Sequence, residues 1–322
     1  MKSIRLLLPA AGLAAVASLC IGQNPTGDKF AVAPDRVEKI KAALPDKTPA
    51  PVQKKHEVLV FTKTAGFRHG SIPTGVECMK QLGAKSGLFN VTHTEDAEIF
   101  KPESLAKFDA VIFLNSTGEV FKDSPAGEDV LKKSLVDFVQ SGHGLIGMHS
   151  AGDTYNDWKD YAEMMGTGFQ EHPWGSGETV RVKNLDPKHP LTAAFKGEGL
   201  TLKDEIYKFK PGRAQPSERH MLLALDANGT NLMLDDKDKD GKPDRDLYPI
   251  AWLSTYGKGR TFYCSLGHND EVYWNPIVVA HYLAGIQYAL GELPADATPK
   301  AVALVLKDGV YLMQLLCSRC RM

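Results

Sequence analysis

The feature that most constrains the fold of this chain is an apolar run that ends at a histidine. Residues 144–154 read GLIGMHSAGDT, so glycines punctuate the run and small residues follow His149. A buried parallel strand delivers a side chain to its carboxyl end in this way, and ligands of open α/β sheets bind at that edge. Hydrolases with a nucleophile elbow place serine or cysteine at the exposed position. Because His149 occupies it here, the stretch predicts a ligand-binding edge without the usual nucleophile.

Strand-like and helix-like patterns alternate through the first half of the chain. Strands are predicted at residues 57–61, 90–94, 109–114 and in the run before His149. Helices are predicted at residues 71–85, with Ser71 as the candidate cap, and at 129–141. This alternation predicts an α/β fold: a doubly wound, mostly parallel sheet with helices on both faces. Further along, the pattern predicts a hairpin and a closing helix, at residues 249–253 with 260–265 and at 275–290.

The amino terminus has the pattern of a secretory signal peptide. Lys2 and Arg5 precede an apolar stretch over residues 6–21, and the chain turns polar at Gly22. This pattern predicts that residues 1–22 are removed and that the protein is secreted or periplasmic, with no membrane span after cleavage. A transmembrane anchor is the alternative, but the run is short for a bilayer. Cys20 raises a lipoprotein alternative, which the large Leu19 before it disfavours.

Composition shifts divide the rest of the chain into three parts. Residues 23–55 are rich in proline, alanine and lysine and predict an extension and linker, with a short helix at 33–44. Residues 56–291 form the predicted domain, and residues 292–322 a tail. Within the tail, Cys317 and Cys320 make an isolated C-x-x-C, which is weak support for zinc or redox function and favours a local disulfide or a frayed end.

Charge and composition exclude some classes of function. The formal net charge is −1 and hydrophobic residues make up 43% of the chain, as in ordinary soluble proteins. There is no basic excess of the kind that binds nucleic acid, so no nucleic-acid partner is expected. A small-molecule substrate is the expected partner, and the oligomeric state is left open.

Four histidines stand in loops after predicted strands or beside glycines: His69, His149, His172 and His268. Loops at the carboxyl ends of parallel strands converge, so a shared site is expected. Imidazole shuttles protons near neutral pH and binds zinc and similar divalent metals. We predict catalytic roles for His149 and His69, and metal ligation by His149, His172 and His268. A loop histidine alone is more often a hydrogen-bonding or capping group, and no pair has tight ligand spacing.

Acidic, polar and aromatic residues near these loops are further candidates. Asp153 follows His149 by four residues and Glu119 follows the buried strand, so both are predicted as catalytic acids or bases. Each carboxylate on its own is more readily explained as a cap or a solvated group. Aromatic faces stack on sugar rings, and core packing is the alternative explanation, which is preferred for Trp252 because it lies inside a predicted strand. The predicted substrate-binding residues are Arg68, Asn115, Thr117, Trp174 and Glu205.

One acidic segment resembles the start of a calcium-binding loop. Asp236, Asp238 and Asp240 have suitable oxygen spacing. Leu247 stands where the bidentate glutamate belongs, and no helices are predicted to flank the segment. A solvated hairpin tip is therefore favoured over a calcium site.

Several motifs together resemble the ThuA-like (trehalose utilisation) family. They are VFTKTAGFRH at residues 60–69, FLNSTG at 113–118, GMHSAGDT at 147–154, PIAW at 249–252 and GH at 267–268. The resemblance covers about residues 56–291. It implies the flavodoxin-like architecture of the class I glutamine amidotransferase-like superfamily. Amidotransferases have cysteine at the elbow where this chain has His149, so amidotransferase activity is not implied.

The resemblance also implies a role in the use of trehalose and other disaccharides, including routes in which a sugar is oxidised at carbon 3 before its glycosidic bond is cleaved. Such cleavage needs a base and a group that stabilises an enolate, and histidines with a carboxylate or metal supply both. A hydrolase or lyase acting on glycosides or keto-glycosides is therefore expected. The alternatives are a non-catalytic carbohydrate-binding or envelope scaffold protein, and a hydrolase using Ser150, which lacks the Gly-x-Ser-x-Gly frame.

Overall fold

The computed structural model describes residues 28–306 and 309–312. The predicted signal peptide and the Cys317–Cys320 pair lie outside the described residues. Within the two described ranges, none of the helices combines the length and apolar character needed to cross a membrane.

The structure contains thirteen strands and six α-helices in its described ranges. The strands are β1 His56–Phe61, β2 Phe89–Thr94, β3 Ala110–Leu114, β4 Gly144–Met148, β5 Phe169–Trp174, β6 Thr179–Asn184, β7 Leu200–Lys203, β8 Ile206–Phe209, β9 His220–Leu225, β10 Pro249–Tyr256, β11 Gly259–Cys264, β12 Ala303–Leu306 and β13 Gly309–Leu312. The helices are α1 Pro34–Ala43, α2 Ile72–Ser86, α3 Pro102–Leu105, α4 Glu128–Ser141, α5 Lys159–Met165 and α6 Pro276–Ala289.

One nine-stranded sheet organises the fold, in the order β2-β1-β3-β4-β11-β10-β9-β6-β7. The first five strands pair in parallel, and the remaining four extend the sheet in antiparallel fashion. Strands β3 and β4 are buried along their whole length, as expected for the centre of a doubly wound sheet. The predicted α/β fold is confirmed, and the predicted hairpin is β10–β11. That β11 then joins β4 in parallel follows only from the three-dimensional arrangement.

Helices cover both faces of the sheet. Along β1, Val58 and Val60 pack into an apolar cluster that includes residues of α2 and α6. Leu59 and Phe61 pack into a second cluster that includes residues of α4 and α5. Successive side chains of a strand point to opposite faces, so each central strand contributes to both clusters. Because the central strands pair in parallel, their carboxyl ends meet at one edge of the sheet.

A two-stranded ribbon of β5 and β8 lies against that edge. It pairs antiparallel outside the main sheet. Lys208 of β8 is buried and pairs with Asp244 at 2.8 Å, with Glu171 of β5 at 3.1 Å and with the buried Asp235. An ammonium surrounded by carboxylates holds its charge when buried. This network ties the ribbon to the loop that precedes β10.

The segment before β1 packs on the closing helix. The predicted short helix is α1, and the backbone of Ala50 exchanges two hydrogen bonds with the side chain of Gln287, at 3.0 and 2.7 Å.

In the calcium-like segment, the carboxylate of Asp236 accepts backbone N–H groups of Asp240 and Gly241 at 3.1 and 2.8 Å. The carboxylate of Asp236 therefore stabilises the turn in which it lies.

One local prediction is confirmed for the position of the residue but not for its hydrogen bond. Ser71 stands just before α2, as a cap would, but its side chain makes no capping hydrogen bond. The hydroxyl donates instead to the carbonyl of Gly267 at 3.0 Å, across the edge of the sheet. Ser71 therefore connects α2 to the loop after β11.

Candidate functional site

Three histidines and one glutamate meet at the carboxyl edge of the parallel strands. His69 lies in the loop after β1, His149 directly follows β4, His268 lies in the loop after β11, and Glu205 precedes β8. One ligand atom from each lies within 4.8 Å of all the others. Nε2 of His149 is 3.2 Å from Nε2 of His69 and 3.6 Å from Oε1 of Glu205. We call these four residues the histidine–glutamate cluster.

The orientation of His149 is set by its backbone and by its outer ring nitrogen. Its φ is +47°, a left-handed conformation that is costly for a residue with a Cβ. The hydroxyl of Tyr263 donates to its carbonyl at 2.6 Å, and its Nδ1 lies 2.7 Å from the carbonyl oxygen of Ser265. A carbonyl only accepts, so Nδ1 carries a proton, and in the tautomer that this hydrogen bond selects the lone pair of Nε2 faces the cluster.

His69 is held neutral by its surroundings. Its ring is buried, and Nδ1 lies 3.2 Å from the hydroxyl of Ser150. Burial, followed by the proximity of His149 and His268, lowers the pKa of His69 to about 2. A neutral imidazole with one nitrogen occupied by a hydroxyl offers the other nitrogen as a ligand.

Glu205 and His268 form the charged side of the cluster. Burial alone would raise the pKa of Glu205, but His149 and His268 outweigh it and hold that pKa well below its usual range. Burial would lower the pKa of His268, yet the neighbouring carboxylate of Glu205 outweighs this and raises it. Nδ1 of His268 is buried 3.2 Å from Oε1 of Glu205, without the geometry of a hydrogen bond to any described residue.

These distances suit a single divalent cation. Nitrogen ligands at about 2.0–2.1 Å from a tetrahedral zinc lie about 3.3 Å from one another. Nε2 of His149 is 3.2 Å from Nε2 of His69 and 3.6 Å from Oε1 of Glu205, and Nδ1 of His268 is 3.2 Å from the same oxygen, all close to that value. The widest separation between two ligand atoms is up to 4.8 Å, so one side chain must rotate inward to complete the site. The outer nitrogens of His149 and His69 already have oxygen partners, as ligand histidines do.

Hydrogen bonds with Asp204 and Asn115 hold the loop that carries His268. The buried carboxylate of Asp204 accepts the backbone N–H groups of Gly267 and Asn269 at 2.7 and 2.9 Å. Burial raises the pKa of Asp204 to about 6. From the other side, the amide of Asn115 donates to the carbonyl of Gly267 at 3.1 Å. Asn115, predicted to bind substrate, is thus buried and positions the loop.

The loop that carries His69 is braced in the same way. The hydroxyl of Thr117 accepts the backbone N–H of Gly66 at 3.2 Å and donates to the carbonyl of Phe67 at 2.9 Å. Thr117 is buried, so, like Asn115, it positions a loop of the site through hydrogen bonds made inside the protein.

Two predicted residues lie at the rim. His172 of β5 has a side chain 53% exposed, and its Nδ1 is 3.4 Å from Oε2 of Glu205. It therefore contacts the outer oxygen of the glutamate and stands outside the cluster. Asp153 is partly buried, and burial raises its pKa. Its carboxylate accepts the amide of Asn156 at 2.7 Å.

Three predicted residues lie away from the cluster. Arg68 pairs with Glu95 at 2.6 Å and its guanidinium covers the ring of Phe30. Glu119 is 55% exposed and pairs with Lys122 at 2.9 Å. Trp174 is 1% exposed: its ring packs on Tyr248 and its Nε1 donates to the carbonyl of Asn231 at 3.1 Å. Because its ring is enclosed by the core, Trp174 offers no face to a ligand.

Two aromatic residues at the site were not predicted. Phe67 is 66% exposed, with its ring 4.8 Å from that of His69 and stacked 6.5 Å from that of His268. Tyr207 is buried against His149, with ring centroids 4.7 Å apart. Each lies two residues from a cluster member, a spacing that puts neighbours on the same side of an extended segment.

A family model described as trehalose utilisation, ThuA, matches residues 57–289, which is most of the chain. The chain belongs to the ThuA family. Among solved structures, it is similar to a ThuA-like protein from Bacteroides uniformis ATCC 8492, with 19% identity, a TM-score of 0.57, and coverage of 74% of this chain and 93% of that one. A ThuA-like protein from Parabacteroides merdae ATCC 43184 has 17% identity, a TM-score of 0.50, and coverage of 78% and 98%.

At these identities the solved ThuA-like proteins show the fold alone. A comparison with curated proteins finds no significant match. The family and fold indicated by the ThuA motifs are thus confirmed, and the function must be argued from the site.

Proposed function

We propose that this ThuA-family protein is a metal-dependent enzyme of carbohydrate catabolism that cleaves glycosides activated by a ketone on the sugar ring. The observation that carries the proposal is the histidine–glutamate cluster, in which Nε2 of His149 faces Nε2 of His69 at 3.2 Å. The outer nitrogens of both rings have oxygen partners, so the inner nitrogens are the ones offered to a ligand. The family description supports a carbohydrate substrate.

The proposed ligands are Nε2 of His69 and His149, Nδ1 of His268 and Oε1 of Glu205. A divalent ion such as zinc, when bound there, supplies positive charge for a carbonyl or enolate oxygen. Imidazole nitrogens and a carboxylate oxygen are among the ligands that bind zinc in proteins, and three such nitrogens with one carboxylate complete a four-coordinate set. The predicted ligand His172 is replaced in this set by His69 and Glu205.

Cleavage beside a ketone requires a proton to leave the carbon next to the carbonyl. The electron pair of that C–H bond forms an enolate, whose collapse expels the glycosidic oxygen from the adjacent carbon, and the departing oxygen takes up a proton. His172 suits the proton transfer, since it is half exposed at the rim and its Nδ1 is 3.4 Å from Oε2 of Glu205. The carboxylate of Glu205 orients the imidazole ring of His172.

Nucleophilic attack by Ser150 is not favoured. Its side chain is fully buried and its hydroxyl lies against Nδ1 of His69 at 3.2 Å. At this position the hydroxyl of Ser150 orients the imidazole ring of His69. The enzyme is proposed to act outside the cytoplasm, on the strength of the signal-peptide pattern at residues 1–22.

The test is incubation of purified protein with a 3-keto-glucoside, with and without chelator, followed by product analysis. We expect release of the leaving group by the wild-type protein, loss of release with chelator and recovery with zinc. His149→Ala should lose at least a hundredfold in rate, in the range that general acid–base or metal chemistry contributes. His143→Ala, whose ring stacks on Phe138 away from the cluster, is the matched control. Sugar binding without turnover would instead support a non-catalytic binding protein.

A further inference from the structure

A cavity of about 490 Å³ lies beside the turn that follows β4. Its volume is within the range of small-molecule sites. We call it the Asp153 cavity. Its walls include Glu119, Lys132, Asp153, Tyr155, Asn156 and Trp158. Two of these, Asp153 and Glu119, are the acids that the sequence predicts as catalytic residues.

The Asp153 cavity lies beside the histidine–glutamate cluster at the carboxyl edge of the sheet. Asp153 is the last residue of the short turn that begins at His149. On the other side, the carbonyl oxygen of the Asn156 side chain accepts the backbone N–H of Phe169 at 2.6 Å, at the start of the strand that carries His172. A ligand that spans both spaces would pass over Asp153.

The chemistry of the cavity suits a hydroxyl-rich ring. The ammonium of Lys132 lies over the rings of Tyr155 and Trp158, at 4.5 and 5.3 Å from their centroids. An ammonium has three N–H donors, and Glu128 takes one of them at 2.7 Å. The carboxylates of Asp153 and Glu119 supply acceptors on the same walls. Donors and acceptors on the same walls together recognise sugar hydroxyl groups.

The balance of charge argues for an uncharged ligand. The lining contains the three carboxylates of Glu119, Asp153 and Asp157 against the two ammonium groups of Lys132 and Lys159. Moreover, Lys132 is already paired with Glu128. A phosphate would be brought close to acidic groups at a cost, since like charges in a partly desolvated space repel.

We propose that the Asp153 cavity binds the second, uncharged sugar residue of a disaccharide whose reacting ring lies at the histidine–glutamate cluster. This inference rests on the proposed function for the position of the reacting ring. It assigns Lys132 and Asp153 as residues that hydrogen-bond the leaving sugar. Glu119, which is exposed, lines the outer part of the same space.

The test compares two substrates that differ only in the leaving group: 3-keto-trehalose and methyl 3-keto-glucoside. Lys132→Met keeps an unbranched apolar side chain of similar length and removes the ammonium group with its donors. We expect the ratio of kcat/KM for the disaccharide to that for the methyl glycoside to fall about tenfold, as for loss of a charged hydrogen bond. The matched control is Lys133→Met, since Lys133 is 74% exposed and pairs with Asp137 on the solvent side.

An unchanged ratio in Lys132→Met, with a normal melting temperature, would overturn the subsite. Equal changes in Lys132→Met and Lys133→Met would overturn it as well. If the wild type cleaves neither substrate, the chemistry of the proposed function fails and the cavity is tested by calorimetry with trehalose and methyl glucoside in zinc buffer. Tighter binding of trehalose that is lost in Lys132→Met supports the cavity, and equal binding of both sugars, or none, overturns it. Tighter binding of trehalose 6-phosphate than of trehalose would contradict the proposal that the cavity binds an uncharged sugar.

Discussion

Nε2 of His149 lies 3.2 Å from Nε2 of His69 at the carboxyl edge of the parallel sheet. The proton of His149 is on Nδ1, which faces the carbonyl of Ser265. If Nδ1 of His69 donates to Ser150, two lone pairs face each other across the gap, and a cation between them removes their repulsion. When both rings are neutral and no cation lies between them, Nε2 of His69 carries the proton and donates to Nε2 of His149. The two states differ in where one proton lies.

The first prediction is that divalent metal stabilises the fold. A ligand that binds only the folded state adds about 2.7 kcal/mol when its concentration is a hundred times its dissociation constant. The melting temperature should rise on addition of zinc and return to the apo value with chelator. In His69→Ala the rise should be largely lost, whereas His143→Ala should show it in full. Equal responses of the two variants would contradict a site at His69.

The second prediction concerns Phe67 at the mouth of the cluster. An aromatic ring that is 66% exposed beside two ligand histidines suits contact with the apolar face of a sugar ring. Phe67→Ala should raise KM for a keto-glucoside by about tenfold and leave zinc content unaltered, because burial of that much apolar surface is worth about 1–2 kcal/mol. Val130→Ala, at another exposed apolar residue, is the control. A fall in kcat with KM unaltered would contradict this role.

The third prediction tests the close packing beneath His268. Gly267 has a φ of +134°, and a Cβ there would lie 2.8 Å from the hydroxyl of Tyr273 and 3.2 Å from the Cβ of His149. Gly267→Ala should destabilise the protein by about 1–3 kcal/mol and weaken zinc binding at least tenfold, because the loop must move. A Cβ on Gly175 would meet no atom within 4 Å, so Gly175→Ala is the matched control. Denaturant unfolding and zinc titration measure both effects.

The fourth prediction concerns acid stability and lies outside the site. His281 of α6 is fully buried, with Nδ1 2.6 Å from the carbonyl of Leu191, and burial lowers its pKa to about 4. Between the unfolded pKa of about 6.5 and the folded value, the unfolded chain binds more protons, so stability falls as pH falls. The contribution is about 1.4 kcal/mol per pH unit across that window.

Urea unfolding of wild type and His281→Gln between pH 7 and pH 4.5 isolates this contribution. The wild type should lose more stability over that range than the variant does, whatever their stabilities at pH 7. Parallel pH profiles would contradict the assignment to His281.

Much of the fold was predictable because the relevant signals are local. Buried strands such as β3 and helices such as α4 and α6 have the spacing of apolar residues that their burial requires. The convergence of His69 and His149 was also predictable, because both follow parallel strands of one sheet. His268 joins them because β11 pairs with β4 in parallel, which the hairpin pattern did not indicate.

Residues whose roles depend on distant partners were the ones missed. Ser71 has the local pattern of a cap, yet its hydroxyl reaches Gly267 through the tertiary fold. Glu205 was predicted as a binding residue, and its place among the histidines depends on how the β5–β8 ribbon folds over the sheet edge. Trp174 was predicted to face a sugar, but packing against Tyr248 encloses it. Sequence spacing carries no information about such contacts.

Metal stoichiometry tests the central claim most directly. The purified protein, incubated with zinc and dialysed, is analysed for metal alongside His149→Ala, Glu205→Gln and the control His143→Ala. We predict one zinc per chain in the wild type and in His143→Ala, and far less than one in His149→Ala and Glu205→Gln. A wild type that retains no divalent metal, or a His149→Ala variant that retains as much as the wild type, would contradict the account.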